Sequence, residues 1–502
     1  MSPAARLLPS LTPRQWLLAA LALTLAFRFW LAAAAPITAD EAYFVLWGRH
    51  PALGYYDHPP MVGWLLAPLV ALSHAVWVAR LPATLAPAIT ALLVRAALGR
   101  WFGRDAATAD LAALAVLLAP MSVWNVLITT DTPLLVFSVA SLLVFARAVQ
   151  LRSGAHFLAA GMLLGLAFLS KYFAVLLGLG YLAWAVSARD ARAFGLVFLG
   201  ALPAGLLNLY WNYEACWCNV MFNAINRHEG AAFSWATPPL YLATVAYAAG
   251  PLAWFAWRER SRLGRGDPVR RAILLAWLVP AAVFALLSPV RTIGLHWLQS
   301  FVPALALSVA VALERRALAV SAGVLAAIAL LHAVAIGVAA ALPAEAWKAT
   351  ALYRRIVFPG RTAELLAAAA PLARGRVLAA DSYAAAALFA FAERRPVPVF
   401  GAGDSHARQS DLDTDWRALD GKDFLILRRG TPLPRDYRPY FRKVEFRTLA
   451  LSAGTYHAVL GDGFDYAAYR AGILAEARER FYRIPAWLPI GRCYFFDRYF
   501  PR

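Results

Sequence analysis

The residues best suited to chemistry lie in one polar stretch, ITADEAYFVLWGRHPALGYYDHPPMVGWL. It sets Asp40, Glu41, Arg49, His50, Asp57 and His58 among aromatic rings. Adjacent carboxylates on a helix point to different sides, so one can face a reactant while its neighbour holds the loop. A carboxylate so placed can take the proton from an attacking hydroxyl or amine. The plainer alternative is a helix start, with Asp40 as its cap and Glu41 in its first turn. Tyr55 sits in the same stretch, two residues before Asp57.

Four further polar residues interrupt or border apolar runs. Asp131, in TTDTPLL, stands where an apolar run begins and suits a helix cap as well as a site. Lys171 breaks the run GLAFLSKYF; its ammonium either snorkels to the interface or meets a phosphate. Arg291 and His296, in SPVRTIGLHW, suit a phosphate or an interface anchor. The loop NYEACWCNVMFNAINRHEGAAFSW carries His228 and Glu229, which with Asp57 are the candidates for a divalent ion. Their spacing matches no strong metal pattern, so a metal is an open option and no cofactor is firmly implied. The chain has three cysteines, Cys216, Cys218 and Cys493. The C-x-C pair is poorly spaced to close on itself, and the cysteines read as unpaired structural residues.

The elements that must position these residues are membrane helices. Of 502 residues, 61% are hydrophobic and only 15% charged, against about 25% charged in soluble proteins. Apolar runs near 14–35, 76–99, 106–121, 132–148, 155–170, 171–187, 194–212, 238–257, 271–288, 296–313 and 317–341 read as about 11 spans. The first is read as a retained span rather than a cleaved signal. Residues 60–73 are shorter and proline-led, and read as an interfacial helix.

Arginine placement tests this division. With a cytoplasmic N-terminus, each connection assigned inside carries at least two arginines, such as Arg95, Arg100 and Arg104, or Arg315 and Arg316. Connections assigned outside carry few. The net charge of +19 is therefore read as a topology signal and not as a nucleic-acid surface. This alternation places Asp40, Glu41, Asp57, His58, Asp131, Lys171, Arg291 and His296 at the extracytoplasmic ends of spans, where ionisable groups tend to be functional.

The expected domains are 1–343, a membrane-embedded catalytic domain with its first outer loop at 36–75, and 344–502, a small extracytoplasmic α/β domain. In the latter, GRVLAADSYAAAALFAFAERRPVPVF reads as strand, helix, strand, and DFLILRR and FRKVEFRTLAL as further strands. The aromatic, basic tail to Arg502 reads as a membrane-surface segment. Walker loops, dinucleotide-binding glycine motifs and G-x-S-x-G elbows are missing from the sequence, so soluble nucleotide-sugar chemistry is not indicated.

ADEAYFVLW, YYDHPPMVGWL, ARLPATL, TTDTPLL, GLAFLSKYF, NLYWNYEACW and GLHWLQSFVPAL together resemble the GT-C membrane glycosyltransferases. The branch is that of the bacterial dolichyl-phosphate-mannose-protein mannosyltransferase-like proteins, which includes lipid A aminoarabinose transferases. The resemblance runs from residue 14 to about 313. It implies a multi-span domain, an extracytoplasmic C-terminal domain and inverting transfer of a sugar from a polyprenyl-phosphate carrier. It assigns Asp40 as the base, with Glu41 supporting the loop, and carries the loop's second charged element to Asp57 and His58. Asp131 matches the family's aspartate near the second outer loop. Aminoarabinose transferases read Glu-Lys-Pro where this chain reads Asp-His-Pro-Pro. That departure leaves the sugar open and passes phosphate binding to Lys171, Arg291 or a protonated His58.

The reading is an enzyme of the bacterial inner membrane with its site and C-terminal domain on the periplasmic side. Its expected partners are a polyprenyl-phosphate-linked sugar, membrane lipid, and a glycolipid, glycan or protein acceptor. The rival reading is a flippase or transporter of lipid-linked sugar. The inverted repeats and broken spans of transporters are not evident in the sequence.

Overall fold

The computed structural model describes residues 11–226, 232–264, 266–350, 353, 360–452 and 454–501. Every apolar run read from the sequence is helical. Among the described residues, eight helices are long and apolar enough to cross a bilayer: Pro13–Ala34, Val76–Arg100, Asp131–Leu151, Ala191–Glu214, Thr237–Arg258, Pro268–Leu287, Leu295–Ala312 and Arg315–Ala341. Three further expected spans form shorter apolar helices, Ala106–Leu117, Gly154–Ser170 and Ala174–Ala188.

The chain forms two compact units. The first comprises Met1–Ala34, Ala75–Leu206 and Ala231–Ala341. Its helices approach closely where glycine removes the side chain. A Cβ at Gly161 would collide with the Val197 carbonyl oxygen, and one at Gly200 with that of Leu158. Such small-residue contacts hold helices together where lipid offers no hydrophobic drive. Arg28, inside the first span and 1% exposed, donates to the carbonyls of Ala83, Thr84, Ser122 and Asn125. A guanidinium at that depth is costly unless fully hydrogen-bonded. Here it ties the first span to the ends of the segments it packs on.

The second unit comprises Ala35–His74, Leu207–Gly230 and Leu342–Arg502. The first outer loop thus clusters with the C-terminal region. Its sheet has the order β1 (Val377–Ala380), β2 (Phe424–Arg428), β4 (Gly454–Phe464), β3 (Phe441–Leu451). β1 and β2 are parallel, and the other pairs are antiparallel. The helix Tyr383–Glu393 makes the crossover from β1, with Ser382 as its cap. β2 is buried along Phe424–Leu427, as a strand covered on both faces must be.

In the second unit the structure corrects the strand and tail readings. The second strand of the expected strand–helix–strand unit reduces to one bridge, Ala380 to Val399. β4, Gly454–Phe464, is a strand that the sequence reading does not include. The aromatic tail is core rather than surface: Phe495 is 0% and Tyr499 1% exposed, and Arg498 donates to the carbonyls of Asp411, Leu412 and Thr414.

The cysteines are not all unpaired. Cys216 and Cys493 form a disulfide across 277 residues of sequence, while Cys218 is a buried free thiol. Replacing Cys216 and Cys493 by serine is expected to cost about 2–5 kcal/mol, read as a lower melting temperature. Alkylation of the denatured, unreduced chain should label one thiol, and reduction should raise that to all three. Three labelled without reduction would contradict the pairing.

Candidate active site

The first-loop helix Ala39–Arg49 begins with T-A-D-E, which forms a capping box. The Thr38 hydroxyl accepts from the Glu41 backbone N–H at 3.3 Å, and a Glu41 carboxylate oxygen accepts from the Thr38 N–H at 3.0 Å. Glu41 is therefore 1% exposed and turned into its own helix start. The cap is Thr38, not Asp40. Asp40, one residue earlier than Glu41, points away and is exposed. Its carboxylate accepts a 3.0 Å hydrogen bond from the Tyr383 hydroxyl. Burial, and then the Asp40 charge, hold the Tyr383 phenol well above its ordinary pKa, so it stays a donor.

Asp40 opens on a cleft of about 750 Å³ shared with Asp381, Ser382, Arg428, Arg429 and Tyr456. The Asp381 carboxyl is raised above its usual range by burial, against the pull of Arg428 at 3.6 Å. Arg428 also donates to the Tyr437 hydroxyl at 2.6 Å. An exposed carboxylate with one fixed donor, on a cleft of that size, can accept a proton from a bound hydroxyl. Tyr383, Asp381, Arg428 and Arg429 were not singled out from sequence. Tyr383 and Asp40 are 343 residues apart, and no local pattern links them.

Asp57, His58 and Tyr55 pack into the loop, while His50 is exposed. Asp57 is 4% exposed; the Tyr43 hydroxyl donates to it at 3.4 Å, and the His58 Nε2 lies 3.8 Å away. The His58 ring packs near Phe44 and Trp47. Tyr55 is 2% exposed, stacks on Trp47 with centroids 4.1 Å apart and donates to the Trp47 carbonyl at 3.0 Å. Burial pushes its phenol up to about 12. Tyr55 thus fastens the loop, and only Asp40 of the first-loop candidates lines the cleft.

In the other unit, Asp131 and Lys171 come together. The helix Gly154–Ser170 ends in extended backbone at Lys171, which turns its ammonium to 2.8 Å from both Asp131 oxygens. The pair is nearly buried, at 12% and 4% side-chain exposure. Asp131 is the first residue of its helix and not its cap, which is Thr130. The Lys171 ammonium also lies 4.9 Å from the Phe173 ring, and Phe173 packs on Trp297, next to His296. Half-buried Arg291 follows the helix Pro268–Leu287 in the same segment as His296. Lys171 therefore neither snorkels nor stands alone. An incoming phosphate would meet an ion pair.

No group of three or more His, Cys, Asp or Glu is arranged to hold a metal among the described residues. His228 and Glu229 lie outside the described residues.

Asp413 lies on a separate, smaller cavity of the second unit. The Asp413 side chain is exposed at the cavity wall, and desolvation by the protein around it pushes its carboxyl up to about 6, against the Gln409 hydrogen bond and the charge of His50. The folded chain holds this proton more tightly than the unfolded chain, whose carboxyl titrates near about 4. The stability this group contributes is complete below pH ~4 and is lost as pH rises to ~6. Asp413→Asn is therefore expected to melt higher than the parent at pH 7 and level with it at pH 4. Equal melting at both would contradict this titration.

This architecture is the GT-C fold of a multi-pass membrane protein. ArnT from Cupriavidus metallidurans bound to undecaprenyl phosphate superposes with a TM-score of 0.60 at 19% identity, covering 88% of this chain and 98% of that one. Its apo form gives 0.59 at 17% identity, covering 88% and 97%. The sequence pattern of the family described as dolichyl-phosphate-mannose-protein mannosyltransferase matches residues 57–211. The lipid A galacturonosyltransferase RgtD of Rhizobium johnstonii (strain DSM 114642 / LMG 32736 / 3841) is 30% identical over 254 residues, 48% of this chain and 52% of that protein. The chain thus spans about half the length of this curated relative. It resembles the ArnT-like GT-C glycosyltransferases.

Proposed function

We propose that the chain is an inverting glycosyltransferase. It moves a sugar from a polyprenyl-phosphate donor, undecaprenyl phosphate in bacteria, to a lipid, glycan or protein acceptor at the outer face of the inner membrane. The observation that carries this reading is the separation of the carboxylate pair. Glu41 is consumed by its own helix start, while Asp40 stands exposed on a wide cleft with Tyr383 holding one oxygen. In the proposed step the acceptor oxygen attacks C1 of the sugar and Asp40 takes its proton. The C1–O bond to phosphate breaks, and its electron pair leaves on the polyprenyl phosphate. One displacement inverts the anomeric centre.

The leaving phosphate needs charge stabilisation more than it needs an acid. Lys171, Arg291, His296 and a protonated His58 are the proposed phosphate ligands, with Asp131 orienting the Lys171 ammonium. The likeness to a protein whose structure holds undecaprenyl phosphate supports that donor. Two observations support the outer face. The arginines alternate between connections, and the disulfide Cys216–Cys493 belongs to the unit that carries Asp40; disulfides persist in oxidising compartments.

Tyr383 is a positioning residue in this scheme. Tyr383→Phe keeps the ring and removes the donor, and loss of a hydrogen bond to a charged group costs roughly 1.5–3 kcal/mol. The expected result is a kcat lower by about ten-fold or more, with KM for both substrates unchanged. A change in KM alone would assign Tyr383 to substrate binding instead.

Mass spectrometry of envelope glycoconjugates tests the function in the cell. A deletion strain should lack one sugar mass on one class of conjugate. The parent gene should restore it, and the Asp40→Asn gene should not. Identical profiles in the deletion and parent strains would contradict the reading.

A further inference from the structure

The second unit holds a cavity of about 330 Å³, distinct from the Asp40 cleft. One wall is the helix Tyr383–Glu393, which turns Ala386, Ala387 and Ala390 toward it. These small side chains leave the space open. The opposite wall is the helix Ala39–Arg49, and the segment 396–414 closes the rest. The volume lies at the lower end of the range of small-ligand pockets, about 300–1,000 Å³, and suits a single sugar ring.

The cavity lining carries half-buried Arg49 and the exposed Arg394 and Arg395, with His50 and His406 as further basic groups. Arg395 pairs with Glu393 at 3.5 Å. Arg49 donates to the Ala390 carbonyl at 3.5 Å and lies 5.4 Å from the centroid of the Phe391 ring. Neither Arg49 nor Arg394 has a carboxylate within ion-pair distance among the described residues. Enclosure, and then the Arg394 charge, lower the Arg49 pKa from its ordinary value, as two cations held together require. Arg394 and Arg395 also suit a helix C-terminus, but that does not account for Arg49, which a different helix brings in. Elsewhere in the cavity lie Asp413, hydrogen-bonded by the Gln409 amide at 3.1 Å, and the hydroxyl of Thr414. Carboxylate, amide and hydroxyl are the groups that bind sugar hydroxyls. Tyr383 lines this cavity as well as the Asp40 cleft.

We propose that this cavity binds an acidic sugar unit, one ring bearing a carboxylate or phosphate, with Arg49 and Arg394 on the anion and Asp413 and Gln409 on the hydroxyls. Guanidinium groups match planar or tetrahedral oxyanions through paired N–H donors. The unit belongs to either the acceptor or the donor of the transfer; only that last assignment rests on the transferase reading.

The test is binding to the full chain in phosphatidylcholine nanodiscs, followed by saturation-transfer NMR with glucuronate, glucose 6-phosphate and glucose. At least one acidic probe should bind at least ten-fold more tightly than glucose. Arg49→Ala with Arg394→Ala should lose at least ten-fold of that affinity, and Arg49→Lys should keep most of it. Asp40→Asn should bind as the parent does, so a failure of transfer and a failure of binding are separable. In the transfer assay, competition against the acceptor assigns the acidic ring to the acceptor, and competition against the lipid-linked sugar assigns it to the donor. The proposal is overturned if neither acidic probe binds better than glucose to the unaltered chain. It is also overturned if the folded double variant binds as the parent does; a bound probe that competes with neither substrate of an active enzyme overturns the assignment to donor or acceptor.

Discussion

Asp40→Asn is expected to lower kcat for sugar transfer by about 10²–10⁴-fold, the range a positioned general base contributes. Expression, membrane insertion, melting temperature and KM for the lipid-linked donor should stay at parent values. Asparagine keeps the shape of aspartate and still offers an oxygen to the Tyr383 hydroxyl, so the 3.0 Å contact survives. What it cannot do is take a proton. Glu41→Gln is the matched control. Its neighbour's carboxylate is untouched, and the amide oxygen can still accept from the Thr38 N–H. That variant should cost at most about 1 kcal/mol of helix capping and leave kcat near the parent value. If Glu41→Gln abolished transfer and Asp40→Asn did not, the roles assigned to the pair would be reversed. Initial rates of both variants, with melting curves alongside, decide it.

The second large effect concerns the Asp131–Lys171 pair. Lys171→Ala should leave the Asp131 carboxylate buried without its 2.8 Å partner, at a cost of about 3–5 kcal/mol. Thermal melting of purified protein should show this as a large loss of folded material. Replacing both residues by leucine removes the stranded charge, and should recover most of the stability. Transfer then separates two roles. A purely structural pair predicts that the double variant regains activity with its stability. A phosphate-binding Lys171 predicts a stable double variant with a raised KM for the lipid-linked donor. A Lys171→Ala chain as stable as its parent would contradict the burial of the pair.

The parts of this molecule legible in sequence are those written in local patterns. Apolar runs of the right length became helices because a spanning segment must satisfy its own backbone. The Asp40–Glu41 pair announces a helix start and two divergent carboxylates, with Asp40 in the place of the true cap, Thr38. Strands such as FLILR announced themselves by buried, branched residues. The residues that complete the site are remote from one another in sequence, and no local rule joins them. Tyr383 is 343 residues from Asp40, Lys171 is 40 from Asp131, and Cys493 is 277 from Cys216. Each is read by its own neighbourhood: Asp131 as a cap or a site residue, Lys171 as a snorkelling or phosphate-binding cation, the cysteines as unpaired. β4 was missed because GTYHAVLGDGF has glycine at its start and near its end, which imitates a turn. The tail was placed at the membrane surface because its aromatic and basic residues suit an interface. In the structure the same residues bury their rings and satisfy carbonyls with Arg498.

The most direct test of the central claim is turnover in one compartment. Purified chain in detergent is incubated with an undecaprenyl-phosphate-linked radiolabelled sugar and candidate acceptors, and both products are followed. The expected result is label on an acceptor, free undecaprenyl phosphate released in equal amount, and neither product with Asp40→Asn. Donor left intact in detergent by a chain that moves it across a vesicle membrane would contradict the account and make the protein a transporter.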